Sequence, residues 1–235
     1  MRILAVDSSA KTAGVAICDD DKLVGEFFID NGLTHSQTLM PMIQSCIDLS
    51  GVSLSSLDAY AVSIGPGSFT GLRIGIACVK GIATVSEKPC YGVSTLEAIA
   101  YGTTLQDATL CCLMDARCQQ VYAAAFSIQN GVIIRTLEDS ALIITDFIQR
   151  VAASAPSSPI VLAGDAATMY LERFSEAGLE ATVIPQLQRF PRAYGVARAV
   201  FSNEVTIKAV AANDLLPKYL RVPQAERELK GKRGD

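Results

Sequence analysis

The stretch Ser63-Ile-Gly-Pro-Gly-Ser-Phe-Thr-Gly-Leu-Arg-Ile-Gly75 decides how the first half of this chain folds. It joins the apolar run 59–64 to the apolar segment 72–85, so it predicts a strand, a glycine-rich loop and a helix start. The backbone N–H groups of such a junction can bind an anion, and its glycines can let another backbone come very close. The loop lacks the Gly-Lys-Ser/Thr end of a P-loop, and its glycine spacing does not fit a dinucleotide site. This combination indicates an assisting role rather than phosphate chemistry.

We assign a candidate nucleotide or interface site to this loop and to the turn after the first strand. Asp7 could orient a metal-bound phosphate, or it could cap its own turn through the N–H of Ser9 or Ala10. Turn chemistry favours the cap. The candidate residues are Asp7, Ser8, Ser9, Gly65, Pro66, Gly67, Ser68, Thr70 and Gly71.

Composition limits the classes of function. Of the 235 residues, 50% are hydrophobic and 19% are charged, and the formal net charge is −4. This composition suggests that a partner covers some apolar surface, and it argues against autonomous, salt-driven tRNA or DNA binding. The seven cysteines have no CxxC spacing, so we expect buried thiols in a reducing cytoplasm. We see no signal peptide and no apolar stretch long enough to span a bilayer, and expect a cytoplasmic protein.

The second half of the chain repeats the pattern of the first. Leu110-Cys-Cys-Leu-Met-Asp115 matches Arg2-Ile-Leu-Ala-Val-Asp7: an apolar strand ends in Asp, and small or polar residues lead into a second apolar strand. Strands in hairpins followed by alternating strands and helices, twice over, predict two α/β lobes. We place the first lobe at 1–103 and the second, with an extended C-terminal tail, at 104–235.

Two helices of the first lobe, near 36–49 and 69–85, carry more apolar residues than one buried face needs. A helix that is apolar on most sides must be buried on most sides. Both helices could simply cover the sheet, but small residues on the second would let another helix approach closely, so we interpret both as partner-binding. A homodimer could form through the same surface. The predicted contacts are Leu39, Met42, Ile43, Cys46, Ile47, Leu72, Arg73, Ile76, Ala77 and Lys80.

Three other polar residues have two interpretations each. Asp115 and Arg117 could bind a ligand or pair with each other, and a local ion pair is the more common arrangement. His35 is the only histidine. It could be a general base, but no nucleophile motif accompanies it, which favours a cap or interface role.

Six blocks that span nearly the whole chain resemble one known family. The turns Asp7-Ser-Ser and Asp115-Ala-Arg first place the chain near the actin/hexokinase/heat-shock ATPase superfamily. Within it, the blocks are similar to the TsaB (YeaZ) family, the glycine loop and the Gly-Val-Ser-Thr-Leu block being the most specific. They are Ile3-Leu-Ala-Val-Asp-Ser-Ser9, His35-Ser-Gln-Thr-Leu-Met-Pro41, Gly65-Pro-Gly-Ser-Phe-Thr-Gly-Leu-Arg-Ile-Gly75, Gly92-Val-Ser-Thr-Leu96, Met114-Asp-Ala-Arg117 and Pro217-Lys-Tyr-Leu-Arg221.

The resemblance implies a two-lobed actin/hexokinase/heat-shock-ATPase-like (ASKHA) fold with a mixed sheet and helices in each lobe. It also implies a dimer-forming subunit required for N6-threonylcarbamoyladenosine (t6A) at position 37 of tRNAs that read ANN codons. The implied partners are a catalytic TsaD-type transferase, a TsaE-type ATPase and a second copy of the chain when alone, with tRNA contacted only through the complex. We expect no cofactor in the isolated chain, and ADP or ATP only at the interface with the partner.

The resemblance also implies that the chain is not an enzyme. TsaD-type enzymes bind a metal through a His-x-x-x-His pair, and Thr95 and Ile99 stand at those two positions here. A hydroxyl and an aliphatic group cannot replace two imidazoles, so we predict no metal site. Asp165 replaces a glycine of the nucleotide-binding segment, and its carboxylate would repel phosphates.

Two other functions remain as alternatives. The first is a stand-alone ASKHA-type small-molecule kinase or ATPase that uses Asp7 and Asp115. The second is a peptidase, which the single histidine and the missing nucleophile motif disfavour. ATP turnover by the purified chain distinguishes the kinase or ATPase from the accessory subunit.

Overall fold

The structure is a computed structural model that describes residues 1–20, 22–117, 119–154, 156, 158–203 and 206–221. It consists of two β-sheets with helices packed on them. The expected C-terminal tail beyond Arg221 lies outside the described residues.

The first sheet has six strands in the order β11-β5-β4-β1-β2-β3. Strands β1 to β3 form an antiparallel meander, β4 and β5 run parallel to β1, and β11 is antiparallel to β5. β1 is central and buried on both faces, which explains its continuous apolar sequence. The strands are β1 Arg2–Asp7, β2 Ala13–Asp19, β3 Lys22–Ile29, β4 Ala59–Gly65, β5 Cys90–Ser94 and β11 Ala209–Val210.

The second sheet has five strands in the order β10-β9-β6-β7-β8. Strands β6 to β8 again form an antiparallel meander, and β9 and β10 are parallel to the central β6. The two sheets therefore repeat one topology, which confirms the predicted two-lobed fold with a mixed sheet in each lobe. The strands are β6 Ala108–Asp115, β7 Gln120–Gln129, β8 Val132–Ile143, β9 Ile160–Ala163 and β10 Ala181–Val183.

Seven α-helices lie among the described residues, and the ends of the first two follow from local sequence. α1 stops at Gly51, whose φ of 66° is left-handed, and α2 begins after Ser68, whose hydroxyl accepts the N–H of Gly71 at 3.2 Å. The helices are α1 His35–Ser50, α2 Phe69–Ser86, α3 Thr95–Tyr101, α4 Ile144–Ala153, α5 Ala167–Glu176, α6 Gln186–Arg189 and α7 Ala193–Ser202, with short 3₁₀ turns at Leu54–Ser56 and Ala212–Asp214.

Helices cover both faces of the first sheet. α1 and α2 pack on one face, and α3 and α7 pack on the other. α3 also contributes Leu96 and Ile99 to the apolar cluster under the second sheet, so the two lobes share part of their core.

The last described part of the chain returns to the first lobe. α7 packs on β1 and β2, and β11 pairs with β5. The sequence-based division assigned everything from residue 104 onward to the second lobe, so the structure differs from it for residues 193–203 and 206–219. The reason is long-range: the first half leaves one face of its own sheet uncovered, and α7 buries Val196 and Val200 there.

α2 is the one helix among the described residues that is long and apolar enough to qualify as a membrane span on length and composition. On those two criteria the expectation that no stretch reaches spanning length is wrong. A core helix of a globular protein meets the same criteria, and one stripe of α2 packs into the first lobe's core.

Candidate partner surface and interlobe cleft

A polar cleft of about 520 Å³ lies between the two lobes. The glycine loop and the turn after β1 form one wall, and the end of β6 forms the other. Of the predicted loop residues, Ser9, Gly67, Ser68 and Thr70 line this cleft. Asp7, Ser8, Gly65, Pro66 and Gly71 are buried beneath it.

The glycines of the loop serve a close approach between two backbone segments. The Ser8 hydroxyl donates to the carbonyl of Gly71 at 2.9 Å, and the N–H of Ser68 donates to the carbonyl of Ser9 at 2.7 Å. A Cβ at Gly71 would overlap the carbonyl oxygen of Ser8, and one at Gly75 would overlap its hydroxyl. The turn after β1 is therefore seated against the first turns of α2.

Asp7 caps its own turn. It is completely buried, and its carboxylate accepts the backbone N–H of Ser9 at 3.3 Å and the Ser9 hydroxyl at 2.9 Å. Burial raises the pKa of Asp7 above its ordinary value, and the hydrogen bonds from the Ser9 hydroxyl and N–H oppose that shift. The geometry matches the capping interpretation of Asp7 rather than an exposed phosphate ligand.

The opposite wall of the cleft carries two neighbouring carboxylates. The backbone N–H of Asp115 donates to Asp165 at 2.9 Å, and the N–H of Arg117 donates to Asp115 at 2.7 Å. The expected ion pair between Asp115 and Arg117 is wrong, because the carboxylate bonds the main chain of Arg117. Desolvation raises the pKa of Asp165. This wall therefore presents acidic groups opposite the glycine loop.

Contacts within the fold account for His35 and for Thr95 and Ile99, which stand at the positions of the TsaD-type histidine pair. His35 begins α1, and its Nε2 donates to the carbonyl of Ala10 at 2.8 Å, which ties α1 to the turn after β1. Thr95 and Ile99 are fully buried at the junction of the lobes. Among the residues that the structure describes, no group of three His, Cys, Asp or Glu side chains could hold a metal ion.

The predicted partner contacts on α1 are mostly core. Leu39, Met42, Ile43 and Cys46 are buried against the first sheet, and Ile47 is half-buried. The prediction that these four face a partner is wrong, because the most regular apolar stripe is the one that the sheet covers. Met40, which lies off that stripe, is the exposed apolar residue on the Ile47 side, with 47% of its surface accessible.

The outer surface of α2 is divided between two flanks. Leu72 and Ile76 are buried in the core, so their assignment to a partner surface is also wrong. Arg73 and Lys80, on one flank, bond the C-terminal segment of the same chain. The opposite flank and the crest carry apolar or small side chains, of which the predicted contact set included only Ala77. They are Ile74, Ala77, Cys78, Gly81, Ile82 and Val85.

We call these six residues, with Met40 and Ile47, the α1–α2 face. Ile47, Ile74, Cys78 and Ile82 all pack on the edge of one core cluster, which places the two helices side by side. An apolar groove of about 600 Å³ continues the face between Leu54 and Val85, and Val85 is 87% exposed. The off-stripe apolar positions of an all-apolar helix are the sequence signal that could have identified this face.

Comparison with known proteins places the chain in a family. Residues 32–232 match the family model described as TsaD: tRNA N6-adenosine threonylcarbamoyltransferase. The chain belongs to this family. Within the TsaD family, it is similar to the tRNA threonylcarbamoyladenosine biosynthesis protein TsaB of Bacillus subtilis, at 27% identity over 96% of both chains.

Two further matches agree with that similarity. TsaB of Escherichia coli is 38% identical over 56% of this chain and 58% of its own length. The solved structure of YeaZ from Pseudomonas aeruginosa superposes with a TM-score of 0.79 and 28% identity, and the match covers 93% of this chain and 99% of YeaZ. The resemblance to TsaB (YeaZ) that the sequence blocks predicted is confirmed.

Proposed function

We propose that this chain is a non-catalytic subunit that binds and supports a TsaD-type transferase in the formation of t6A at position 37 of tRNAs that read ANN codons. Its similarity to proteins named for threonylcarbamoyladenosine biosynthesis supports the pathway. The exposed apolar α1–α2 face is the observation that favours a role in binding a partner protein.

The α1–α2 face has the properties of a helix-packing interface. Its crest is made of Ala77 and Gly81, which permit close approach of a second helix, and Val85 and Met40 flank the crest with exposed apolar surface. Gly81 has open space around it. Both helices rest on a well-packed core, so the face is presented on a rigid support.

The interlobe cleft supports the non-catalytic half of the proposal. Asp7 is enclosed by its own turn, and Asp115 and Asp165 face the loop where phosphates would lie. Lys11, Arg117 and Arg221 line the same cleft, so these carboxylates do not exclude a nucleotide, and the enclosure of Asp7 is the feature that argues against catalysis. The stand-alone kinase or ATPase, which would need Asp7 at the reacting phosphate, is not favoured by this geometry.

The remaining partners follow from the same proposal. A second copy of the chain occupies the α1–α2 face when the transferase is absent, and a TsaE-type ATPase joins the assembled pair. tRNA is contacted through the complex, in the cytoplasm. ADP or ATP binds only in the assembled complex, near the glycine loop.

The substitution Ala77→Glu tests the interface. Ala77 is exposed at the centre of the face, so the free chain should keep its fold, whereas a buried unpaired carboxylate should weaken transferase binding by at least about a hundredfold. The measurement is the Kd by calorimetry, with size-exclusion chromatography as a second readout. Ile76→Glu would not serve, because Ile76 is 5% exposed and its substitution would disrupt the core.

The matched control is Ala152→Glu, the same substitution at an exposed alanine of α4 in the second lobe. It should bind the transferase like the wild-type chain. Unchanged binding by Ala77→Glu, or equal losses for both variants, would show that the interface lies elsewhere.

A further inference from the structure

The C-terminal segment 209–221, which we call the strap, runs along the flank of α2 that is turned away from α1. Its first residues extend the first sheet as β11, and Leu215 is buried in the core that α1 and α2 share. The N–H of Lys218 then donates to the carbonyl of Ile64 at 2.8 Å, beside the glycine loop. A Cβ at Gly65 would overlap the carbonyl oxygen of Lys218, so the strap lies directly on the loop.

Two cationic side chains of α2 hold the strap. Lys80 donates to the carbonyls of Asn213 and Leu215 at 3.0 and 3.4 Å. Arg73 donates through Nε to the Tyr219 hydroxyl at 2.8 Å, and its guanidinium carbon lies 3.9 Å from the ring centroid of Phe69. The rings of Phe69 and Tyr219 stack with centroids 4.9 Å apart.

The strap ends on the other lobe. The guanidinium of Arg221 donates to the carbonyl of Ala116, between the two cleft residues Asp115 and Arg117. Tyr219 and Arg221 themselves line the cleft. One continuous segment therefore connects the flank of α2 to the far wall of the cleft.

We infer that Arg73 and Lys80 are positioning residues, and that the strap they hold couples α2 to the far wall of the cleft. Release of the strap from α2 loosens residues 114–117, and covering the α1–α2 face tightens them. The second part rests on the proposed function, whereas the first concerns this chain alone. Coupling of this kind is reciprocal, so a ligand that orders the cleft also strengthens partner binding.

Hydrogen exchange of the free full-length chain tests the link directly. In Arg73→Ala, which removes the cation–π contact with Phe69 and the hydrogen bond to Tyr219, exchange should rise about tenfold in residues 212–221 and also rise in residues 114–117. The amides of 115, 116 and 117 are all hydrogen-bonded in the structure, so their exchange reports on the cleft wall. The matched control Arg150→Ala removes an exposed guanidinium from α4 and should change neither region.

A second variant keeps the test decisive if Arg73→Ala folds poorly. Tyr219→Phe retains the ring stack and removes only the hydroxyl, so it should give a smaller rise in the same two regions. A rise confined to the strap, or no rise in either variant, would overturn the coupling.

The complex with the transferase separates this inference from the proposed function. Binding should slow exchange on α2, in the strap and in 114–117 of the wild-type chain, whereas in Arg73→Ala the slowing should stop at α2. Slowing on α2 alone in the wild type would contradict the coupling. Absence of any binding would contradict the proposed function and would leave the free-chain result to decide the role of Arg73.

Discussion

At the scale of single residues, the molecule depends on close contact between one turn and one helix. Ser8 sits against α2 so tightly that only glycine fits at 71 and 75. The contact is polar and specific, because the Ser8 hydroxyl bonds the carbonyl of Gly71. These glycines therefore set where α2 lies on the sheet, and with it the α1–α2 face.

Gly75→Ala should destabilise the free chain by about 1–3 kcal/mol, because its methyl group overlaps the buried Ser8 hydroxyl. Urea unfolding followed by circular dichroism measures the change. Gly81→Ala is the matched control on the same helix. Its methyl group meets open space, so it should raise stability by about 0.5–1 kcal/mol through helix propensity. Equal effects at both positions would refute the close-approach role of Gly75.

Residue identities such as these could be predicted from the sequence only in part. The capping role of Asp7 follows from turn chemistry and is found, since the motif is local. The pairing of Asp115 with Asp165 and the engagement of Arg73 with Tyr219 join residues 50 and 146 positions apart, and local pattern contains no signal for either.

At the scale of secondary-structure elements, α2 uses three sides of its surface in three different ways. Its buried stripe packs on the sheet, one flank holds the strap, and the remaining surface is the apolar α1–α2 face. Periodicity predicts that α1 and α2 are helices, and their bounds agree closely. It cannot tell which apolar side the protein's own sheet covers, which explains why Leu39 and Leu72 were assigned to the wrong surface.

Cys78 offers a probe of this element. It is half-buried on the α1–α2 face, whereas Cys90 and Cys111 are buried in the interior. Burial raises the pKa of the Cys111 thiol to about 12 and that of Cys90 to about 11, so these two should resist alkylation in the folded chain.

Transferase binding should slow N-ethylmaleimide labelling of Cys78 by at least about tenfold, since the partner covers the thiol. Peptide mass mapping assigns the modified cysteine, and the free chain is labelled at a dilution where it is monomeric. Labelling of Cys78 at the same rate in the free chain and in the complex would contradict the position of the interface.

At the scale of the whole molecule, two copies of one topology share a core and a polar cleft. The repeat could be predicted because both halves begin with the same strand-Asp-turn pattern at Asp7 and Asp115. The return of α7 and of most of the strap to the first lobe could not be predicted, since it depends on which sheet face is left uncovered. The sequence therefore predicted that α1 and α2 carry the candidate partner surface, but not which side of each helix faces outward.

The function that we propose for the whole molecule is to support catalysis by a TsaD-type transferase and to perform none itself. The measurement that tests this most directly is t6A formation in an ANN-decoding tRNA from threonylcarbamoyl-AMP, with the TsaD-type transferase and the TsaE-type ATPase, in the presence and absence of this chain. We predict that t6A forms only when the chain is present, and that the chain alone turns over neither ATP nor the adenylate. The variant Asp115→Asn should retain at least about half of the wild-type rate of t6A formation, because an exposed carboxylate outside the reacting site contributes little. Full t6A formation without the chain, or turnover by the isolated chain at an enzyme-like rate, would contradict the account.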